Sequence, residues 1–400
     1  MTIHPQTATG SNCRGTLSAT LLAAAVLALF TTGPLFAQAK PASSAEVERQ
    51  GVGDSPADPG PLATDLSPAL THTAVRKAMK KVGDWSVPHS EANYNRQWTF
   101  AALYDGLLAA SKTTGDPMYK NAVIKLADKY DWKMEESRFP HADDMAIGKA
   151  YLDLYAENKV PAHLEGSKAV LDRLVVRPDD PKKLLWWWCD ALYMAPPVLA
   201  HMSAITHDHK YLDYMDKEWW ETSDSLYDPA ERLYFRDASY FGKTEKNGKK
   251  IFWARGNGWV MGGFAKVLTE MPANDPMRPK YIKQYKEMAD RIAGLQRPDG
   301  LWPSGLLDPD SYELPEVSGS AFFIYSFAWG INHGILDRAK YEPVVKKGWA
   351  GLLTHVYADG RLGSIQPIGA APGAFTPSSS YVYGVGSFLL AGSEVDRLKK

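Results

Sequence analysis

The chain has 400 residues, 45 basic and 46 acidic, with a formal net charge of −1 and 45% hydrophobic content. That length buries one large core or two medium ones, and the balanced charge excludes a basic field for nucleic acid or anionic lipid. Most of the 13 tryptophans and 20 tyrosines fill a helical core, and a surplus suits a concave surface that stacks on a ring-shaped ligand.

The first 39 residues predict an export signal: Arg14, then an apolar run from Leu17 to Phe30, then the small-x-small site Ala37–Ala39. The run is too short to span a bilayer comfortably. Cleavage removes Cys13 and leaves Cys189 alone, which excludes an intramolecular disulfide and a Cys-based metal site in a secreted or periplasmic product with no membrane segment. Residues 40–61 are small, polar and proline-rich and read as a flexible leader. The remaining residues, 62–400, are expected to form one domain.

Within that domain one kind of segment recurs. It opens on polar or aromatic residues and runs on with apolar and small ones: RQWTFAALYDGLLAAS from Arg96, DDMAIGKAYLDLY from Asp143, WCDALYMAPPVLAHMSA from Trp188, NGWVMGGFAKVLTE from Asn257, SGSAFFIYSFAWGI from Ser318 and SYVYGVGSFLLAGSEV from Ser380. The spacing is roughly 45 to 70 residues, as in a helical-hairpin repeat. Amphipathic segments such as RPKYIKQYKEMADRIAGLQ alternate with them and present charged, solvent-facing sides. Six inner and six outer helices in alternation predict an all-α (α/α)6 barrel, or toroid. If the inner helices run the same way, the residues opening them converge at one end.

Those residues are Gln97 and Trp98; His141, Asp143 and Asp144; Trp187, Trp188 and Asp190; Trp253, Arg255, Asn257 and Trp259; Ser318 and Ser320; Ser380, Tyr381 and Tyr383. Indoles, carboxylates, an arginine and hydroxyls together have the chemistry of a carbohydrate site. Asp190 follows the run WWWC, and burial among indoles raises a carboxyl pKa, which makes it a usable general acid. Its other reading is an N-cap. Adjacent Asp143 and Asp144 cannot share one helix face, so a single member is expected to face the pocket while its neighbour caps. In WARGNGW, Trp253 to Trp259, the glycines and asparagine are expected to turn a loop into the fourth inner helix. Arg255 is then a candidate for gripping a flat anion between indoles. No Gly-x-Ser-x-Gly, P-loop or dinucleotide fingerprint is present, and His207 to His209 read as solvated loop histidines rather than a metal site.

Together WARGNGW, HADDMAIGKAYLDLY, WWWCDALYMAPPV and SGSAFFIYSFAWGINHG resemble glycoside hydrolase family 105, the unsaturated rhamnogalacturonyl hydrolases, which are related to the unsaturated glucuronyl hydrolases of family 88. The resemblance covers roughly residues 66 to 396. It implies an (α/α)6 barrel with no metal or organic cofactor, acting on oligosaccharides left by polysaccharide lyases. Such enzymes remove the 4,5-unsaturated uronyl residue from the non-reducing end by hydrating its double bond. The resemblance places the general acid/base on Asp190, the second carboxylate on Asp143 with Gly148 as the matching glycine, and the substrate-binding W-x-R-x-x-x-W on Trp253, Arg255 and Trp259. Trp98, His141, Asp144 and Trp188 are further candidates for substrate contact. One departure stands out: Arg236 and Asp237 lie where family members often carry a substrate-binding histidine, so the linked sugar differs or is held differently. A rhamnogalacturonyl substrate is the leading expectation. Glycosaminoglycan, ulvan or arabinogalactan fragments, or a non-catalytic sugar-binding role, are the alternatives.

Overall fold

The computed structural model describes residues 51–180 and 182–398. The predicted export signal and the leader up to residue 50 lie outside the described residues.

Outer and inner helices alternate along the chain. The outer set is α1 (His72–Ser90), α3 (Pro117–Lys129), α6 (Ala162–Val175), α9 (Lys210–Leu226), α11 (Arg278–Ala293) and α13 (Arg338–Leu353). The inner set is α2 (Trp98–Thr114), α4 and α5 (Ala142–Met145, Ile147–Asn158), α7 and α8 (Ala191–Met194, Pro196–Thr206), α10 (Ala254–Glu270), α12 (Val317–Asn332) and α14 (Val382–Asp396). Around the ring α2 packs on α5, α5 on α8, α8 on α10, α10 on α12, α12 on α14, and α14 returns to α2. The architecture is an (α/α)6 toroid. Four two-residue strands decorate it: β1 (Gly53–Asp54), β2 (Tyr227–Asp228), β3 (Leu233–Tyr234) and β4 (Ser380–Tyr381). Strands β2 and β3 form a small antiparallel hairpin.

Local chemistry sets the helix limits. Asp116 caps α3 by accepting the Met118 N–H at 3.0 Å, with Pro117 in the first turn where its missing N–H costs nothing. Asp337 caps α13 by accepting from Ala339 at 2.7 Å. The pair Pro196–Pro197 interrupts the third inner helix and separates α7 from α8. The inner helices are buried all round; α12 is buried from Val317 through Ile331.

Small residues let the inner helices touch backbone to backbone. A Cβ added at Gly386 would lie 2.1 Å from the Ala102 carbonyl oxygen, and one at Gly263 would lie 2.3 Å from that of Leu192. In WARGNGW, Gly258 acts in the same way and Gly256 lies against the Cys189 and Trp253 side chains, which corrects the expectation of a turning loop. Helix α10 already begins at Ala254, and a Cβ at Gly258 would crowd Gly319 Cα of α12 at 3.2 Å.

At the end of the expected leader, residues 52–54 are paired with the ring. β1 pairs antiparallel with β4, Gly53 opposite Tyr381, and Val52 is buried. The Val382 N–H donates to the Val52 carbonyl at 2.9 Å, and Asp54 pairs with Arg361. A polar, proline-rich stretch is thus tied to the mouth end of the ring by backbone hydrogen bonds.

Candidate active site

The inner helices present their N-termini at one end of the ring. There Trp98 of α2 stacks on Tyr383 of α14 with ring centroids 5.5 Å apart and meets Trp259 of α10 edge-on at 5.9 Å. Two connected groups of side chains occupy this end.

The first group surrounds Asp190. The backbone at Trp188 bridges antiparallel to Asp237, and the Cys189 N–H donates to the Arg236 carbonyl at 2.8 Å. This pairing brings Arg236 Nε to 3.4 Å from Asp190 Oδ2, while Arg236 Nη1 binds Asp237 Oδ2 at 2.8 Å. Asn257 sets the register from the other side: its amide accepts the Tyr234 N–H at 2.8 Å and donates to the Tyr234 carbonyl at 3.0 Å, pinning the strand that delivers Arg236. Asp190 is 8% exposed and precedes α7, yet its side chain makes no capping hydrogen bond. Burial raises its carboxyl above the ordinary aspartate value, against the lowering pull of Arg236. A carboxyl whose protonated form is favoured by burial and which is not used as a cap is suited to donate a proton.

His141 is the actual N-cap of α4; its Nδ1 accepts the Asp143 N–H at 3.3 Å. Burial, helped by Arg138 and Arg236, lowers its pKa to about 4, so the ring is neutral at neutral pH. The ring packs on Trp188 at 4.5 Å. Asp143 lies beside it, with Oδ2 at 3.5 Å from His141 Nδ1 and 3.8 Å from Arg138 Nη1. Asp144 points elsewhere. It accepts the Arg138 N–H at 2.7 Å through Oδ2 and the guanidinium at 2.8 and 2.5 Å through Oδ1, with its side chain 2% exposed. Neither aspartate is the N-cap of α4, and Asp144, a candidate for substrate contact, clasps Arg138.

The second group surrounds Arg255. Expected at the pocket mouth, it is fully buried. Its guanidinium sits over the Trp253 and Tyr383 rings at 4.2 and 4.9 Å. Nη1 donates to the Gln366 carbonyl at 2.8 Å and Nη2 to that of Pro367 at 2.7 Å. Glu316, also fully buried, lies 4.0 Å away and caps α12 by accepting from Ser318 and Gly319. Nε is the one guanidinium nitrogen without a hydrogen-bond partner. Trp253 and Trp259 are 2% and 1% exposed, so both indoles form the wall behind the mouth. The open indole face belongs to Trp187, at 47% exposure, with Arg236 over its ring at 5.3 Å.

Sequence reasoning missed Arg138, Glu316 and Gln366. Glu316 stands just before VSGS, where a capping acid is a readable signal. Gln366 sits in an aperiodic loop that carries no such signal.

A second polar cluster lies among the C-terminal halves of the inner helices. Asp153, His201 and Glu270 offer ligand atoms within 4.8 Å of one another. Lys149 places its ammonium 2.5 Å from Asp153 and 3.6 Å from Glu270. Burial opposes its charge, but the two carboxylates outweigh burial and raise its pKa to about 12. A lysine thus already fills the place a cation would take.

Comparison with known proteins agrees with this geometry. Residues 70–399 match the family model described as Glycosyl Hydrolase Family 88. The chain is 43% identical over 350 residues to an unsaturated 3S-rhamnoglycuronyl hydrolase of Formosa agariphila, covering 83% of this chain and 93% of that protein. It is 33% identical over 368 residues to a protein of the same name from Alteromonas sp., covering 83% and 89%. A solved family 88 glycosyl hydrolase from Bacteroides vulgatus superposes with a TM-score of 0.77 at 34% identity, covering 82% of this chain and all of that one. The chain therefore belongs to glycosyl hydrolase family 88, in the group it forms with family 105, and it hydrolyses oligosaccharides bearing an unsaturated uronyl residue by hydration of the double bond.

Proposed function

We propose that the substrate is an unsaturated 3S-rhamnoglycuronyl oligosaccharide, with 3S taken as a sulfate ester at O3 of the rhamnose, and that Asp190 is the acid and base of the reaction. The observation that carries the residue assignment is the buried Asp190 carboxyl, raised by burial and engaged in no cap. The two relatives of that name support this substrate, which narrows the rhamnogalacturonyl or related glycuronyl range implied by the resemblance.

In this scheme the Asp190 carboxyl donates its proton to carbon 4 of the unsaturated ring. Positive charge develops at carbon 5 and the ring oxygen. Water adds at carbon 5 and returns a proton to Asp190. The hemiketal opens to a ketone, and the hemiacetal exposed at carbon 1 collapses to an aldehyde and releases the linked sugar. Each turnover consumes one water and leaves Asp190 protonated. Asp143 and His141 face the same end of the ring and hold the sugar hydroxyls. Neutral His141, which accepts through Nδ1, keeps Nε2–H as a donor. Trp187 and Trp98 offer indole surface to sugar rings. A uronate carboxylate that reaches Arg255 meets the N–H donors that the Gln366 and Pro367 carbonyls leave unused, Nε–H among them. The N-terminal signal sequence supports export to the periplasm or beyond, checked by N-terminal sequencing of the protein from a cell-envelope fraction.

The test follows the conjugated enoate by ultraviolet absorbance with lyase-generated oligosaccharides. Asp190→Asn is expected to lower kcat by about 10²-fold to 10⁴-fold, the usual contribution of a positioned acid, while binding stays measurable. Undiminished turnover in that variant rejects the assignment.

A further inference from the structure

Beyond Asp190 the mouth continues onto a shelf that the reaction itself does not use. Residues 238–240 make a single 3-10 turn capped by Asp237, whose Oδ1 accepts the Ser239 N–H at 2.8 Å. The chain then passes Phe241 and Gly242, which takes φ +73°, and reaches Lys243, whose N–H donates to the Tyr240 carbonyl at 3.2 Å. Six large hydrophobic side chains are conspicuously exposed among the described residues, and only Trp187 and Phe241 of these are aromatic, at 47% and 46%. Trp187 lies under the Arg236 guanidinium at 5.3 Å, and Phe241 packs on Phe235, the residue before Arg236, at 5.1 Å. Open aromatic rings on this segment offer a surface for the next sugar along.

The charges on this shelf are unequal in availability. Arg236 is committed to Asp190 and Asp237. Glu245 accepts from the Tyr312 hydroxyl, and Lys250 pairs with Asp228 at 2.5 Å. Lys243 has no ion pair with any described carboxylate. Its ammonium rests 5.2 Å from the centroid of the Tyr240 ring, a cation–π contact that aims the charge without neutralising it. Tyr240 in turn donates its N–H to the Asp237 carbonyl at 3.1 Å, and Asp237 binds Arg236, which ties this cation to the segment beside Asp190.

We propose that Lys243, carried on the Tyr240–Gly242 turn, is a specificity-determining residue that takes an anionic ester on the sugar joined to the unsaturated uronyl residue, with Trp187 and Phe241 receiving that sugar's apolar face. A sulfated 6-deoxyhexose matches both halves of the shelf: its methyl corner suits the rings and its ester suits the ammonium. The inference rests on the substrate reading above.

The test compares kcat/KM on an unsaturated uronyl-rhamnose disaccharide sulfated at O3 of the rhamnose with that on the same disaccharide desulfated. The readout is the ratio of the two, for the wild type, Lys243→Gln and Lys243→Arg. Lys243→Gln is expected to lower the sulfated-to-desulfated ratio about fivefold, the scale of one solvent-accessible charge-assisted contact. Lys243→Arg is expected to keep it near the wild-type value. A ratio unchanged in Lys243→Gln, or lowered equally in Lys243→Arg, overturns the assignment of Lys243 while the substrate reading stands. A wild type that favours the desulfated disaccharide overturns both.

Discussion

Replacing Arg255 should damage the fold before it damages binding. Its guanidinium holds the Gln366 and Pro367 carbonyls at 2.8 and 2.7 Å and lies 4.0 Å from buried Glu316. In Arg255→Met both carbonyls lose a charge-assisted donor and Glu316 becomes an uncompensated buried anion. Removing one partner of a buried pair costs about 3–5 kcal/mol. Glu316 keeps the Ser318, Gly319 and Gln366 donors, which places the expectation near the lower end, about 3 kcal/mol. Denaturant unfolding followed by tryptophan fluorescence reads this as a lower midpoint at an unchanged slope. The double variant Arg255→Met/Glu316→Gln removes both charges and should recover about 1–2 kcal/mol of the loss, as expected for coupled neighbours. An Arg255→Met midpoint equal to the wild type, or a double variant that is merely additive, refutes the reasoning.

Two further outcomes follow from the same geometry. Arg236→Gln removes the cation that opposes the burial-driven rise of the Asp190 carboxyl. The proton-donating form then persists further, so the falling limb of kcat/KM against pH should move to higher pH. A limb that stays put, or moves down, separates Arg236 from the acid. Gly386→Ala inserts a methyl 2.1 Å from the Ala102 carbonyl oxygen, where α2 and α14 touch. It should destabilise by about 2–3 kcal/mol, the range for forced overpacking, and an unaltered unfolding midpoint argues that the two helices separate freely.

The toroid was legible because its signal is repeated. Six segments rich in small and apolar residues, each preceded by an amphipathic partner, admit few other closed packings. Asp190 was legible because three tryptophans precede it and dictate its environment. The direction of Arg255 was not. Sequence shows an arginine between indoles, but its burial depends on Glu316 and on the Gln366–Pro367 carbonyls, more than sixty residues further along the chain. The division of labour between Asp143 and Asp144 turned on Arg138, whose backbone and side chain both bind Asp144. No periodicity places an arginine in that loop. The pairing at the end of the leader was not legible for a related reason: composition describes a segment's own tendency to order, whereas Gly53 and Asp54 pair with β4.

The arginine at 236 joins two tasks that are usually kept apart. A cation 3.4 Å from a general acid should drive the acid toward its anion and so weaken it as a proton donor. Here that pull is limited twice. Burial of Asp190 is the larger influence on its carboxyl, and Asp237 binds the same guanidinium at 2.8 Å and shares its charge. What remains for Arg236 is position: it lies in an ion pair with Asp190 Oδ2 and, through its carbonyl and the bridge between Trp188 and Asp237, holds the backbone that carries Asp190. Its other face lies on Trp187, the most open indole at the mouth. A sugar that stacks on Trp187 therefore meets a group already connected to the acid. With Asp190 as the proposed acid, substrate choice and proton donation share Arg236, and a change on the proposed shelf is expected to be felt at carbon 4.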